Sequence, residues 1–147
     1  MDQQDLIYQK IPHRPPFLWI DRVISLDPET IETEKDILPD LDLFAGHYPG
    51  NPIMPGVLLC EAVFQAGAML IVDKVSPGQG VPVLTRIQGA KFKNMVRPGD
   101  TIRVRVKISE NIGPAWFMKG KVMVGDKVAV SVDFSCAMAA VESYKTG

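Results

Sequence analysis

The chain has 147 residues, of which 46% are hydrophobic and 22% are charged, and its formal net charge at pH 7 is −1. This length and composition predict one domain, spanning residues 1–147, with a sizeable hydrophobic core. Because the net charge is close to zero, bulk electrostatics point neither to nucleic acid nor to an anionic membrane as a partner.

The first part of the chain predicts two strands and a stiff loop. Residues 1–5 are polar and acidic, so no secretory or transit signal is expected. Strands are predicted over residues 17–26 and 31–38. Residues 46–56 contain three prolines and three glycines, which excludes a helix or a central strand there. His47 lies near the start of this loop.

A long helix is predicted from about residue 54 to about residue 75, with Pro55 in its first turn. Its side chains are apolar nearly all round, which is typical of a helix buried on every side. Glu61 is the only charged residue between His47 and Asp73. Glu61 and Gln65 interrupt an apolar core that is already short, so no membrane span is predicted. The two residues are four apart and share a face, which lets the amide orient the carboxyl.

Strands are most evident after a predicted loop at residues 76–80. They are expected over residues 83–92, 101–109, 122–124 and 127–134, with Gly125 and Asp126 turning the last hairpin. Residues 101–109 alternate strictly between polar and apolar. The side chains predicted to face the helix are Ile102, Val104, Val106 and Ile108, with Arg103, Arg105 and Lys107 facing solvent. Strands gathered around one helix indicate an α+β domain.

Two residues are candidates for chemistry. Burying an unpaired carboxylate in an apolar run costs several kcal/mol, so Glu61 is predicted to be functional. His47 is a candidate for a functional role because it lies in the stiff loop that precedes the helix containing Glu61. His13 lies in a proline-rich segment, is expected to have no acidic or nucleophilic partner nearby, and is assigned a structural or surface role. Cys60 is a poor nucleophile candidate, because adjacent helical residues point about 100° apart.

The remaining patterns exclude several other sites. Cys60 and Cys136 lie in apolar runs and predict free, buried thiols in a reducing, cytoplasmic compartment. No metal cluster, phosphate-binding loop or nucleophile elbow is present in the sequence, so neither metal nor cofactor is predicted.

The central segment closely resembles the β-hydroxyacyl-acyl-carrier-protein dehydratases of bacterial-type fatty acid synthesis. The residues that carry this resemblance are His47-Tyr48-Pro49-Gly50, Pro52, Met54-Pro55-Gly56-Val57-Leu58, Glu61-Ala62 and Gln65. Three further segments agree, at residues 11–23, 90–100 and 127–138. The resemblance covers nearly the whole chain.

This resemblance implies a hotdog fold, in which a long antiparallel sheet wraps around one helix and dimerises edge to edge. It implies removal of water from a β-hydroxyacyl chain carried by acyl carrier protein, without a cofactor. His47 of one subunit and Glu61 of the other would form each site, in a dimer that is often assembled into hexamers. A related dehydratase-isomerase has aspartate at the glutamate position, so this chain resembles the plain dehydratase.

The residue types suit such a reaction. A neutral histidine is a base near pH 7. Desolvation should raise the pKa of Glu61, which would keep it protonated as the acid. Backbone N–H groups at the helix start, near Gly56 and Val57, would stabilise charge on the thioester oxygen. Gly56, Val57 and Gln65 are therefore the predicted substrate-binding residues.

Some alternatives stay open at this point. A different thioester enzyme on the same fold, such as a CoA hydratase or thioesterase, is one; a non-catalytic acyl-binding or assembly protein is another. The basic residues Lys91, Lys93, Arg97, Arg103 and Arg105 are either a solvated strand face or a surface for an acidic carrier protein. The chain lacks an aromatic residue often found near residues 83–86 in the family, which leaves the tunnel shape and the acyl chain length open.

Overall fold

The computed structural model describes residues 2–75 and 80–139, which form two α-helices and six strands. The elements are α1 (Gln3–Lys10), β1 (Arg22–Leu26), β2 (Thr30–Asp36), α2 (Gly56–Val72), β3 (Val81–Phe92), β4 (Thr101–Ile112), β5 (Ala115–Val124) and β6 (Lys127–Ala139). A short 3₁₀ helix, Asp42–Ala45, precedes the loop that holds His47.

The six strands form one antiparallel sheet in the order β1-β2-β4-β5-β6-β3. The predicted hairpin is confirmed: Val124 pairs with Lys127 across a turn in which Gly125 has a φ of 60°. β3 reaches the sheet by crossing over from α2 to pair with the last strand, which leaves β3 at one edge. This is the expected α+β hotdog architecture.

Helix α2 is enclosed by the inner face of the sheet. Ile102, Val104 and Val106 of β4 are each at most 1% exposed and face the helix as predicted, while Ile108 is half-buried. Most of α2 is buried as well, from Leu59 through Ile71, with few exceptions. The exceptions follow helical spacing. Val57 is exposed, and Glu61 and Phe64 are half-buried, so one stripe of the helix is left uncovered by the sheet.

The helix is shorter at both ends than the sequence predicts. Met54 lies outside the helix, where its N–H donates to the carbonyl of Val96 at 2.7 Å, and the helix begins at Gly56 with Pro55 as its N-cap. It ends at Val72.

At 17 residues α2 falls short of a membrane span, and none of the other helices in the described part of the chain is long and apolar enough to cross a membrane. The predicted loop at residues 76–80 falls almost wholly outside the described residues.

The N-terminal segment also differs from the sequence prediction. Residues 17–20 were expected to begin a strand, but β1 starts only at Arg22. The backbone groups of Phe17 and Trp19 bond to the Gln65 side chain, so they are not available to a neighbouring strand. Helix α1 was not predicted. It is only two turns long, it is capped by the side chain of Asp2, and it buries little beyond Ile7, so its sequence pattern is weak.

Gly120 sets the distance between α2 and the sheet. A Cβ added there would lie 2.2 Å from a methyl group of Val63, which is fully buried. We expect Gly120→Ala to lower the free energy of unfolding by about 1–3 kcal/mol, because Val63 has no space to withdraw into. Chemical denaturation measures this. Gly89→Ala on β3, where an added Cβ meets nothing within 4 Å, is the matched control and should stay within about 0.5 kcal/mol of the parent.

Candidate active site

The uncovered stripe of α2 faces a cavity of about 590 Å³. Glu61 contributes the carboxyl of this cavity, whose walls are mostly apolar. They come from the N-terminal segment, from α2 and from strands β3 and β6. The residues that line the cavity are Pro12, His13, Phe17, Glu61, Phe64, Ala68, Val81, Pro82, Val83, Leu84 and Cys136. Its size suits a small molecule or an extended acyl chain.

Gln65 fixes the position of the Glu61 carboxyl. The Gln65 amide oxygen accepts a hydrogen bond from the Trp19 N–H at 2.8 Å. Its nitrogen donates to the Phe17 carbonyl at 2.8 Å and to Glu61 Oε2 at 3.0 Å. The amide oxygen faces a backbone donor and the amide nitrogen faces a backbone acceptor, so only one orientation of the amide satisfies both. In this orientation the nitrogen also donates to the carboxyl of Glu61. Gln65 is only 1% exposed, which favours a role in orienting Glu61 over the direct substrate contact predicted from the sequence.

The environment of Glu61 favours its neutral form. Burial raises the pKa of the Glu61 carboxyl, and the hydrogen bond from Gln65 acts in the opposite direction. Cys136, on the opposite wall, has its pKa raised to about 12 by burial and, secondarily, by the charge of Glu61. Burial also raises the pKa of Cys60. Both cysteines are free and buried, so neither offers a thiolate near neutral pH.

The loop around His47 holds the imidazole in one orientation. His47 Nδ1 lies 2.9 Å from the carbonyl oxygen of Ile53, so Nδ1 carries the proton and Nε2 of the neutral ring carries the free electron pair. The Tyr48 ring packs edge-on against the imidazole, 4.8 Å between centroids. Tyr48 itself has a φ of 53°, a left-handed conformation that is unusual for a residue other than glycine. Backbone strain of this kind is often found beside functional groups.

The structure does not bring His47 and Glu61 into contact within one chain. Among the described residues, neither a hydrogen bond nor an ion pair joins them, and His47 does not line the cavity that contains Glu61. Within the described chain, the imidazole and the carboxyl therefore do not share one cavity.

The start of α2 offers two free backbone donors. The N–H groups of Leu58 and Leu59 both reach the carbonyl of Pro55, which leaves those of Gly56 and Val57 without an acceptor inside the helix. A glycine at residue 56, with no side chain, would by itself leave space for a substrate to approach the backbone. In the structure the space beside Gly56 is taken by Phe92, whose ring would lie 2.7 Å from an added Cβ.

His13 is closer to the site than its sequence context predicts. Its Nε2 lies 3.7 Å from Glu61 Oε2, and both side chains are about three-quarters buried. The expectation that His13 has no acidic partner is therefore wrong. The local sequence carries no sign of this contact, because the partner is 48 residues away along the chain. The segment after His13, which lies along α2 instead of forming a strand, brings the two side chains together.

The basic residues predicted as one strip do not all lie together, and Arg103 forms ion pairs with Glu32 and Glu34 of β2 instead. Strand pairing places Arg105 beside Lys121, Lys121 beside Ser131, and Ser131 beside Lys91, in one row on the outer face of the sheet. Lys121 was not among the predicted residues, because only the sheet register brings it into the row. Arg97 lies apart and donates to Asn51 Oδ1, at 3.0 Å, in the loop that holds His47.

Comparison with known proteins shows the family to which this chain is related. A family model described as a FabA-like domain matches residues 11–133. The chain is 40% identical to a 3-hydroxyacyl-[acyl-carrier-protein] dehydratase FabZ of Verminephrobacter eiseniae over 92% of this chain and 93% of that protein. It is also 40% identical to a FabZ of Legionella pneumophila over 89% and 90%. The solved dehydratase heterocomplex ApeI:P from Xenorhabdus doucetiae has the same fold, with a TM-score of 0.76 at 11% identity, over 96% of this chain and 97% of that one.

Removing the Gln65 amide should weaken the whole site. Gln65→Leu would leave the Trp19 N–H, the Phe17 carbonyl and Glu61 without their shared partner. We expect the free energy of unfolding to fall by about 1–3 kcal/mol, the cost of leaving a buried polar group unpaired. Thermal or chemical denaturation tests this, with Gln9→Leu on the exposed side of α1 as the matched control. Equal stability of the two variants would contradict the role assigned to Gln65.

Proposed function

We propose that this chain, which belongs to the FabA-like family of hotdog-fold dehydratases, removes water from β-hydroxyacyl thioesters of acyl carrier protein in fatty acid biosynthesis. The observation that carries the proposal is the arrangement at Glu61: a carboxyl of raised pKa, held by Gln65 in a mostly apolar cavity. The product is the trans-2-enoyl thioester. The free, buried cysteines suit a reducing, cytoplasmic compartment.

The reaction requires one base and one acid. His47 Nε2 takes the proton from Cα of the substrate, and the electron pair of that C–H bond forms the Cα–Cβ double bond. The Cβ–O bond breaks, and Glu61 gives its proton to the departing hydroxyl, which leaves as water. The N–H groups of Gly56 and Val57 donate to the thioester oxygen as negative charge develops on it. After release of the product, the proton on His47 must return to Glu61 through solvent.

The geometry favours a site shared by two subunits, since His47 and Glu61 are not in contact within the chain. β3 is twelve residues long and bonds to β6 on one side only. It exposes Leu84, Ile87 and Phe92, each by more than 40%. A long, apolar edge strand of this kind is a ready template for pairing with another chain. We propose that two copies join along β3, which places His47 of each subunit against Glu61 of the other; a trimer of such dimers is compatible with this arrangement.

The acidic carrier protein is proposed to approach over Lys93 and Arg97. Arg97 bonds to Asn51 in the loop that contains His47, so a positive charge is attached to the loop of the base that must meet the substrate. The outer row with Arg105 and Lys121 is the competing surface. Rim charges of this kind affect mainly the association rate and its salt dependence.

Mixing two inactive variants tests the shared site. His47→Ala and Glu61→Gln should each fold but lose roughly 10²–10⁴-fold in turnover of a β-hydroxyacyl carrier-protein substrate. Co-incubated and allowed to exchange subunits, they should recover activity, because a mixed dimer has one site with both residues intact. Glu110→Gln, on an exposed stretch of β4, is the control and should keep full turnover. Native mass spectrometry establishes exchange; confirmed mixed dimers without activity would exclude the shared site.

Charge reversal tests the docking surface. Lys93→Glu with Arg97→Glu should raise KM for the carrier-bound substrate several-fold and flatten its salt dependence. Turnover of the same acyl chain on cysteamine should change little, which also checks that the His47 loop is undamaged. Arg105→Glu with Lys121→Glu is the matched pair on the outer row, and a larger effect there would move the docking site to that face. Comparison with the CoA thioester shows how much the carrier itself contributes.

A further inference from the structure

His13 is placed to act on Glu61 together with Gln65. Both Gln65 Nε2, at 3.0 Å, and His13 Nε2, at 3.7 Å, are directed at the same oxygen, Glu61 Oε2. In the part of the chain that the structure describes, Oε1 receives no hydrogen bond. Oε1 is therefore the oxygen left to carry the proton and to face the substrate.

The surroundings of the ring select one tautomer of His13. Its Nδ1 is buried and has no hydrogen-bond partner among the described residues, so a proton there would be a buried donor without an acceptor. A proton on Nε2 instead faces the oxygen of Glu61. The ring lies nearly parallel to that of Phe17, 6.4 Å between centroids, and the Phe17 carbonyl is bonded to Gln65. The same segment of chain therefore positions both donors.

Burial, together with one neighbouring charge, favours the neutral form of the ring. Burial lowers the pKa of His13, and the neighbouring charge of Arg14 lowers it further. Arg14 is held in place by the carbonyls of Tyr8, Ile11 and His13 at 2.8–3.1 Å, with its guanidinium 3.9 Å from the centre of the Tyr8 ring. A neutral His13 matters because a protonated one would pair with ionised Glu61 and remove the acid. The other titratable group on the cavity wall, Cys136, stays a thiol.

We propose that His13 is a positioning residue for Glu61: its neutral ring donates from Nε2 to Oε2 and, with Gln65, holds Oε1 toward the hydroxyl of the substrate. This inference rests on the proposed function for its kinetic consequence. The separation of 3.7 Å is longer than a hydrogen bond, and it closes when substrate fills the cavity, since such contacts often tighten only in the complex. His13 itself exchanges no proton with the substrate.

Two substitutions separate positioning from space filling. His13→Leu keeps an apolar side chain in the cavity wall but has no donor, whereas His13→Gln carries an N–H near the position of Nε2 and stays neutral at every pH. We expect His13→Leu to lower kcat roughly 3- to 10-fold with KM changed less than twofold, the size of effect of one hydrogen bond. His13→Gln should restore kcat to within about twofold of the parent. Equal losses in both variants, or no loss in His13→Leu, would overturn the proposal.

A spectroscopic measurement on the unaltered protein needs neither activity nor a variant that folds. The chain has only two histidines, so long-range ¹H–¹⁵N spectra of protein labelled on histidine show two rings. We expect His13 to be the Nε2–H tautomer at pH 7, and His47 to be the Nδ1–H tautomer because of its bond to Ile53. An Nδ1–H or doubly protonated His13 would overturn the inference. Inactive wild-type protein with the expected tautomers would instead count against the proposed reaction and leave the pairing of His13 with Glu61 supported.

Discussion

The hydrogen bonds of one buried amide determine how the site is built. Gln65 joins the N-terminal segment to α2 through the Phe17 carbonyl and the Trp19 N–H, and its remaining donor goes to Glu61. The segment therefore lies along the helix instead of extending β1, and it forms one wall of the cavity. Because each of these three groups would be costly to bury alone, the fold of the segment and the orientation of the carboxyl depend on each other.

The sheet contributes in two ways, one on each face. Its inner face is so close to α2 that β5 requires a glycine opposite Val63, and this leaves only one stripe of the helix free to face a ligand. Its outer face collects cations from three strands into a row, in which Arg105 and Lys121 lie directly opposite each other. Like charges at paired positions oppose strand association, whereas Glu32 of β2 lies directly opposite Arg105 on its other side and favours it. An acidic partner would relieve the repulsion.

The strand alternation in residues 101–109, the Gly125 turn and the nearly all-apolar α2 predicted the α+β architecture from the sequence, because each is a local pattern. Glu61 was also recognisable, as a charge in an apolar helix. What the sequence could not show depends on contacts between distant residues. His13 meets Glu61 only because Gln65 takes the backbone bonds of the segment after it, and Lys121 joins the basic row only through the strand register. Helix α1 was not predictable from the sequence, because a helix of two turns with one buried residue has almost no hydrophobic periodicity.

The contact between Phe92 and Gly56 connects the exposed edge of the sheet to the start of α2. Phe92 is the last residue of the exposed edge strand, and its ring packs directly against the first residue of α2. A partner chain that pairs with β3 and shifts its end would move the Phe92 ring that packs against Gly56, whose N–H is one of the two free donors. In the proposed dimer, association would therefore do more than bring His47 of one subunit to Glu61 of the other. It would also affect the orientation of the backbone donors at the start of α2. In such an arrangement quaternary structure is itself a determinant of catalytic geometry, and a substitution at Phe92 would change the turnover rate as well as dimer formation.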